Sequence, residues 1–367
     1  MTPLITRTPV VAITGLHRGE NPQPGPAVVA GLRRAFPDVR IIGLSYDPME
    51  SGQYTMGVDR IDAAYLVPYP RVGSAELLER LDMIRRKEAF NVLVPCLDSE
   101  LPNYIELARE LAKRGIACML PTEQALSQRG KENLMALCKR LKVPTPATIA
   151  SHDANDLIRF VERIGYPAYI KGRFYEAHLV HSPFELQSVF NELVRTWGGP
   201  VIAQEVTLGE EYDILGLGDG KGGLEGTCTV RKLLRTKAGK GFGGIVVEDP
   251  MLDALVAKVI RVLRWKGPFE LEFVKAPGRP HQLFEMNPRF PAWVDFPSQI
   301  GCNLPARLLE RLLGVKKPAT LARVEPGQLF IRHCVDVVGN VAELAQMASS
   351  GYRPGPKSAL VSGVRNG

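Results

Sequence analysis

Over residues 1–125, short apolar runs closed by turn-forming residues alternate with stretches of helical spacing. Val10-Val11-Ala12-Ile13 runs into Thr14-Gly15 and predicts a buried strand. Val39–Leu44, Ala63–Pro68, Asn91–Pro95 and Ala117–Leu120 repeat the pattern, with helices predicted from Pro26 to Phe36 and over about 74–88 and 101–114. Strands of this kind, separated by helices, predict a parallel sheet covered on both faces. A ligand of such a sheet lies beyond the carboxyl ends of its strands.

The pattern then changes. A helix over Lys131–Leu141 ends at Val143-Pro144-Thr145-Pro146, where two prolines forbid continuation. Residues 147–200 read as a small α/β unit, and strands dominate beyond Pro200: Val201–Gln204, Tyr212–Gly216, Gly226–Arg231, Phe269–Val274 and Gln282–Met286. Helices are predicted at about 250–264 and 304–313, and the tail from Gly351, rich in Gly, Pro, Ser and basic residues, reads as a mobile end. No internal repeat is present.

Composition narrows the function classes. The charge of +7, from 46 Lys and Arg against 39 Asp and Glu, suits an anionic ligand such as a nucleoside triphosphate and is too diffuse to signal nucleic acid. Six cysteines without a Cys-x-x-Cys pair predict reduced thiols in a cytoplasm and argue against a disulfide framework or zinc cluster. No apolar run approaches the ~18 residues that cross a bilayer, and residues 1–7 lack the apolar core of a secretory signal. A dinucleotide-binding dehydrogenase is disfavoured, because Gly15-Leu16-His17-Arg18-Gly19 stands where Gly-x-Gly-x-x-Gly belongs, and no Walker loop occurs.

The densest chemistry is Phe269-Glu270-Leu271-Glu272-Phe273 followed by Leu283-Phe284-Glu285-Met286-Asn287-Pro288-Arg289. A strand sends residues i and i+2 to one face, so Glu270 projects with Glu272 and Glu285 with Asn287. Carboxylates within apolar strands are costly unless protonated, paired or bound to a cation. A hard cation such as Mg²⁺ accepts these oxygens and leaves positions for phosphate. Arg289 adds a forked donor suited to phosphate or carboxylate. Lys131 at a helix start and Lys171 at the end of the strand Tyr166–Ile170 are candidate phosphate ligands. Arg231-Lys232 and the glycine stretch Gly239–Gly244 are candidates to close over a triphosphate, a plain hairpin being the alternative for the glycines.

In order along the chain, these residues resemble the ATP-grasp superfamily, most closely its carbamoyl-phosphate-synthetase-like and biotin-carboxylase-like carboxylate–amine ligases, over roughly residues 8–314. The resemblance implies an α/β fold: a Rossmann-like pre-ATP-grasp domain (1–125), then an ATP-grasp small lobe (126–200) and large lobe (201–320), with 321–367 a C-terminal extension. Asp98-Ser99-Glu100-Leu101 fits the first of these, and Gly165–Lys171 the strand whose lysine touches the nucleotide phosphates. The resemblance further implies Gln204, Glu205 and Val206 as the adenine-reading hinge, Glu211 on the ribose hydroxyls, Glu272, Glu285 and Asn287 as Mg²⁺ ligands and Arg289 as catalytic arginine.

The implied reaction is ATP- and Mg²⁺-dependent activation of a small-molecule or peptide carboxylate as an acyl phosphate, then attack by an amine, with a homodimer as the implied assembly. Like-charge repulsion between carboxylate and triphosphate requires the metal ions together with Lys131, Lys171, Arg231 and Lys232. A lid over 172–180 or 236–244 would shield the acyl phosphate. The family's glycine-rich loop is replaced by Gly172-Arg173-Phe174-Tyr175-Glu176-Ala177-His178, so Arg173 or His178 would have to compensate. His178 and His181 are assigned no metal. Arg289–Asp295 would line the acceptor pocket, with Trp293 equally readable as core. Bicarbonate activation and a non-catalytic ATP-binding role are the rival readings.

Overall fold

Val11, Ala12 and Ile13 are fully buried, as a strand covered on both faces must be, and they occupy the middle of a parallel sheet. The structure, a computed structural model, describes residues 9–19, 21–172, 176–236, 239 and 241–355. These divide into two units, one from residues up to 119, 292–320 and 333 onward, the other from 120–291 and 321–332.

In the first unit β1 (Val10–Ile13), β2 (Arg40–Ser45), β3 (Ala63–Leu66) and β4 (Val92–Val94) are parallel in the order β3-β2-β1-β4. Strand order therefore reverses between β1 and β4, and a buried carboxylate ties the strand ends there. Glu100 accepts hydrogen bonds from Thr14 beyond β1, Tyr46 beyond β2, and the Cys96 and Leu97 amides beyond β4, the last two at 2.8 and 2.9 Å. Burial pushes its carboxyl up to about 7 against the pull of these donors. The fifth strand expected at Ala117–Leu120 is only a single bridge from Ala117 to Val92. The helix expected over 101–114 is broken into Leu101–Glu106 and Ala108–Lys113.

The second unit holds two antiparallel sheets. β5 (Thr148–Ser151), β6 (Ala168–Lys171), β7 (Ala177–Val180) and β8 (Val201–Glu205) form a four-stranded sheet in the order β5-β8-β6-β7. Helices Ala154–Ile164 and Pro183–Trp197 pack on it through Leu157, Val161, Leu186 and Leu193, and each starts at a side-chain cap, Asp153 and Ser182. β9 (Glu210–Asp219), β10 (Leu224–Arg235), β11 (Gly241–Val246), β12 (Lys266–Lys275), β13 (Gln282–Asn287) and β14 (Leu329–Ile331) form a six-stranded sheet in the order β13-β12-β9-β10-β11-β14. One face of it is the large core, where Phe269, Leu271 and Phe273 pack with Leu252, Val256 and Leu137 from helices Pro250–Leu263 and Leu134–Leu141.

Back in the first unit, β15 (Tyr352–Pro354) lies antiparallel to β3, and the buried Arg353 donates to the Gln53 carbonyl at 2.6 Å and pairs with Glu343 at 2.9 Å. The end expected to be mobile from Gly351 is thus anchored through Gly355; residues 356–367 lie outside the described residues. One further expectation is corrected. Lys131 does not open a helix: it sits in a turn, and the helix begins at Leu134. Of the two stretches expected as lids, Ala177–Val180 and Gly241–Gly244 are paired into their sheets. Arg173, Phe174, Tyr175, Lys237, Ala238 and Lys240, which fall within those two stretches of sequence, lie outside the described residues. No helix among the described residues is long and apolar enough to cross a membrane.

Candidate active site

The alternation of β12 divides its side chains between two environments. Phe269, Leu271 and Phe273 are fully buried in the core, so Glu270 and Glu272 stand on the opposite face of the sheet. Neighbouring strands bring matching groups: Asp213 of β9 and Glu285 of β13 both pair in register with Glu272, and Asn287 with Glu270. A β-bulge makes this possible. Register slips between Glu272–Glu285 and Phe273–Leu283, leaving Phe284 as the extra residue. Leu283 and Glu285 would otherwise share a face; the bulge puts the leucine in the core and the glutamate among the acids.

The acids are tightly cross-linked. The Asn287 amide nitrogen donates to Glu270 at 3.0 Å and to Glu272 at 2.9 Å, and Arg289 Nη1 donates to Glu270 at 3.0 Å. Lys232, only 3% exposed, places Nζ 2.6 Å from Glu272, 3.0 Å from Asp213 and 3.3 Å from Glu211. Burial opposes charge on Lys232, yet Asp213, Glu272 and Glu211 outweigh it and hold the ammonium well above the ordinary lysine range. Arg231 is a correction. The strand turns it to the other face, where it pairs with Glu210, so it does not act beside Lys232.

Two more lysines face this cluster. Lys131 Nζ lies 3.1 Å from Glu285. Lys171, buried at the end of β6, donates to the Gln204 side-chain oxygen at 2.7 Å and has the Tyr169 and Phe284 rings 5.4 and 5.5 Å away. Burial lowers the Lys171 pKa to about 8, with Glu285 pulling it up and Lys131 pushing it further down. At Glu285 burial raises the carboxyl, but Lys131 and Lys171 prevail and bring it to about 2.

Of the expected hinge, Gln204 spends its side chain on Lys171 and Thr148, and Glu205 on the Ala147 amide at 3.0 Å; Val206 follows β8 half-buried. Glu211 pairs with Lys232 and Arg235. Trp293 is buried and Asp295 is tied to Arg34 at 2.9 Å, so Trp293 reads as core packing. His178 pairs loosely with Glu176 at 3.4 Å.

Among the described residues, Asp213, Glu270 and Glu272 form the group whose ligand oxygens all lie within 4.8 Å of one another. Asp213 was not singled out from sequence. Its signal is there, an acid between the core residues Tyr212 and Ile214, by the same alternation that turns Glu270 and Glu272 away from the core. An all-oxygen donor set fits a hard divalent ion such as Mg²⁺. Asn287 would contribute Oδ1, since its nitrogen serves the two glutamates.

Comparison with known proteins bears on the architecture. No family profile matches the chain. The carbamoyl phosphate synthase large chain of Sulfolobus acidocaldarius is 23% identical over 245 residues, 62% of this chain and 23% of that protein. The chain spans less than two thirds of the length of the curated relatives it matches. Among solved structures, the biotin carboxylase domain of Hydrogenobacter thermophilus 2-oxoglutarate carboxylase, described with MgADP and bicarbonate, superposes with a TM-score of 0.62 at 18% identity, over 86% of this chain and 72% of that one. An L-amino acid ligase from Bacillus licheniformis gives 0.62 at 15% identity, over 86% and 75%. The chain has the ATP-grasp fold. In ATP-grasp terms, β1–β4 form the sheet of the preceding Rossmann-like domain, and the four- and six-stranded sheets are the two lobes of the module.

Proposed function

We propose that the chain is an ATP- and Mg²⁺-dependent ligase that activates a carboxylate as an acyl phosphate and joins it to an amine, releasing ADP and phosphate, with amino acids or peptides as the substrate class. The observation that carries this reading is the convergence of Glu272, Glu285 and Asn287 with Lys171, Lys131 and Arg289 on one face of the six-stranded sheet. The similarity to an L-amino acid ligase and to a carbamoyl phosphate synthase chain supports it.

The chemistry follows from charge. A carboxylate approaching a triphosphate is repelled, and fixed cations offset that repulsion without reorganising. Lys171 and Lys131 bind phosphate oxygens, while Glu272, Glu285 and Asn287, with Glu270 beside them, would hold the divalent ions. When bound, such ions would supply Lewis-acid neutralisation of phosphate charge. The substrate carboxylate oxygen attacks the γ-phosphorus as the bond to ADP breaks. Arg289 stabilises the charge on the transferred group and then on the tetrahedral adduct formed by the amine. That adduct collapses with loss of phosphate, and the amine proton passes to solvent.

The test is phosphate release from ATP over a panel of carboxylates and amines, with condensed product identified by mass spectrometry. Product that depends on both partners, and is lost in Glu285→Gln, is the expected result. Phosphate release driven by bicarbonate alone would replace this reading with bicarbonate activation. Nucleotide binding without turnover across the panel would favour a non-catalytic partner.

A further inference from the structure

Lys232 stands where a cation cage would be expected to hold a metal. Its ammonium lies within 3.3 Å of three carboxylates, Glu272, Asp213 and Glu211, and two of these belong to the trio whose oxygens lie within 4.8 Å of one another. Mg²⁺ binds carboxylate oxygens at about 2.0–2.1 Å. An ion at Glu272 and Asp213 would therefore share their oxygens with the ammonium, and two cations so close in a dry site repel strongly. The register partner of Lys232 on β11 is Gly244, a position flanked by the Phe330 ring and Val230, so the ammonium leaves the cage by turning about its own side-chain torsions.

We propose that Lys232, fixed by Asp213, is a built-in counter-ion that bars free divalent metal from the cage until a nucleotide polyphosphate draws its ammonium away, so that metal and nucleotide enter together. The proposal rests on the nucleotide reading above. The exchange conserves charge contacts: phosphate oxygens take the ammonium, and the vacated carboxylates take the metal. Asp213 is a positioning residue in this scheme. It acts on the reaction through Lys232, and the pair explains why an additional buried acid stands beside Glu272.

Free Mn²⁺ measured by electron paramagnetic resonance tests this with and without a non-hydrolysable ATP analogue. A cage open in about a tenth of molecules binds metal about tenfold more weakly than one always open. Wild type should therefore bind Mn²⁺ alone at least tenfold more weakly than with the analogue. Lys232→Met should bind Mn²⁺ alone about tenfold more tightly than wild type, and Lys232→Arg should keep the exclusion. The double variant Lys232→Gln/Asp213→Asn removes one charge of each sign and preserves the cage's net charge. It should also admit Mn²⁺ alone, and it serves if Lys232→Met does not fold. If wild type takes Mn²⁺ equally well with and without analogue, or if removing the ammonium leaves Mn²⁺ affinity unchanged, the gate is overturned while the nucleotide reading stands. If the analogue does not bind at all, the nucleotide reading itself falls.

Discussion

Replacing Lys171 by Met should abolish a pH dependence of nucleotide affinity that the wild type displays. The ammonium is buried at the end of β6, and its pKa falls from 10.5 to about 8, chiefly through burial. At about 1.4 kcal/mol per unit, that shift means the charged form costs roughly 3 kcal/mol in the folded protein. The sign follows. Between the folded and unfolded pKa values the unfolded chain binds more protons, so this cost is full below pH 8 and is relieved as pH rises toward 10.5. A polyphosphate placed beside Nζ favours the ammonium, so nucleotide selects the protonated lysine. Its affinity should be level below pH 8 and about tenfold weaker at pH 9 than at pH 7. Calorimetric titration of an ATP analogue in buffers of different ionisation enthalpy, from pH 7 to 9.5, reads both quantities. Proton uptake should approach one per nucleotide above pH 8. Lys171→Met should bind about 10- to 100-fold more weakly at pH 7, the worth of a charge-assisted hydrogen bond, with a flat profile. An identical slope in both proteins would refute the assignment of Lys171 as the titrating phosphate ligand.

Three further expectations follow from packing and hydrogen bonding. Asn287→Asp removes two amide donations to Glu270 and Glu272 and adds a like charge, so thermal unfolding should show a loss of roughly 3 kcal/mol. Mg²⁺ should restore part of that loss. Glu100→Ala leaves the Leu97 amide and the Thr14 and Tyr46 hydroxyls without the carboxylate they share at a fully buried position. A loss of about 3–5 kcal/mol in urea unfolding is expected, and one below 1 kcal/mol would show that the carboxylate does not tie the strand ends. Gly209→Ala would bring a Cβ to 2.2 Å from the Lys275 carbonyl oxygen where β9 begins beside β12. It should destabilise by about 2 kcal/mol or more and weaken nucleotide binding through Glu211.

What was legible in the sequence was whatever a strand's two-residue period or a chain-breaking residue encodes. Phe269-Glu270-Leu271-Glu272-Phe273 announces both the core face and the charged face of β12, and the prolines after Val143 end the helix where expected. The same period applied to Arg231-Lys232 separates them, and treating them as a pair ignored it. Asp213 was passed over because its strand was read as an apolar run. Lys131 lies just outside its helix because a hydrophobic period does not fix the first turn, which fails to form until Leu134. The helices Ala154–Ile164 and Pro183–Trp197 blurred into one unit, although Asp153 and Ser182 mark their starts. The ion pairs of Lys232 join residues up to forty positions apart, and no local pattern carries them.

The extra residue at Phe284 divides β13 into two stretches that keep separate alignment with β12. On the far side, Gln282 and Leu283 answer to the core and to the hairpin that precedes them. On the near side, Glu285 and Asn287 answer to Glu272 and Glu270. A one-residue change in the hairpin over 276–281 can therefore be absorbed at Phe284 before it turns the acids away from their partners, and the length of that outer turn becomes free to drift while the chemistry stays put.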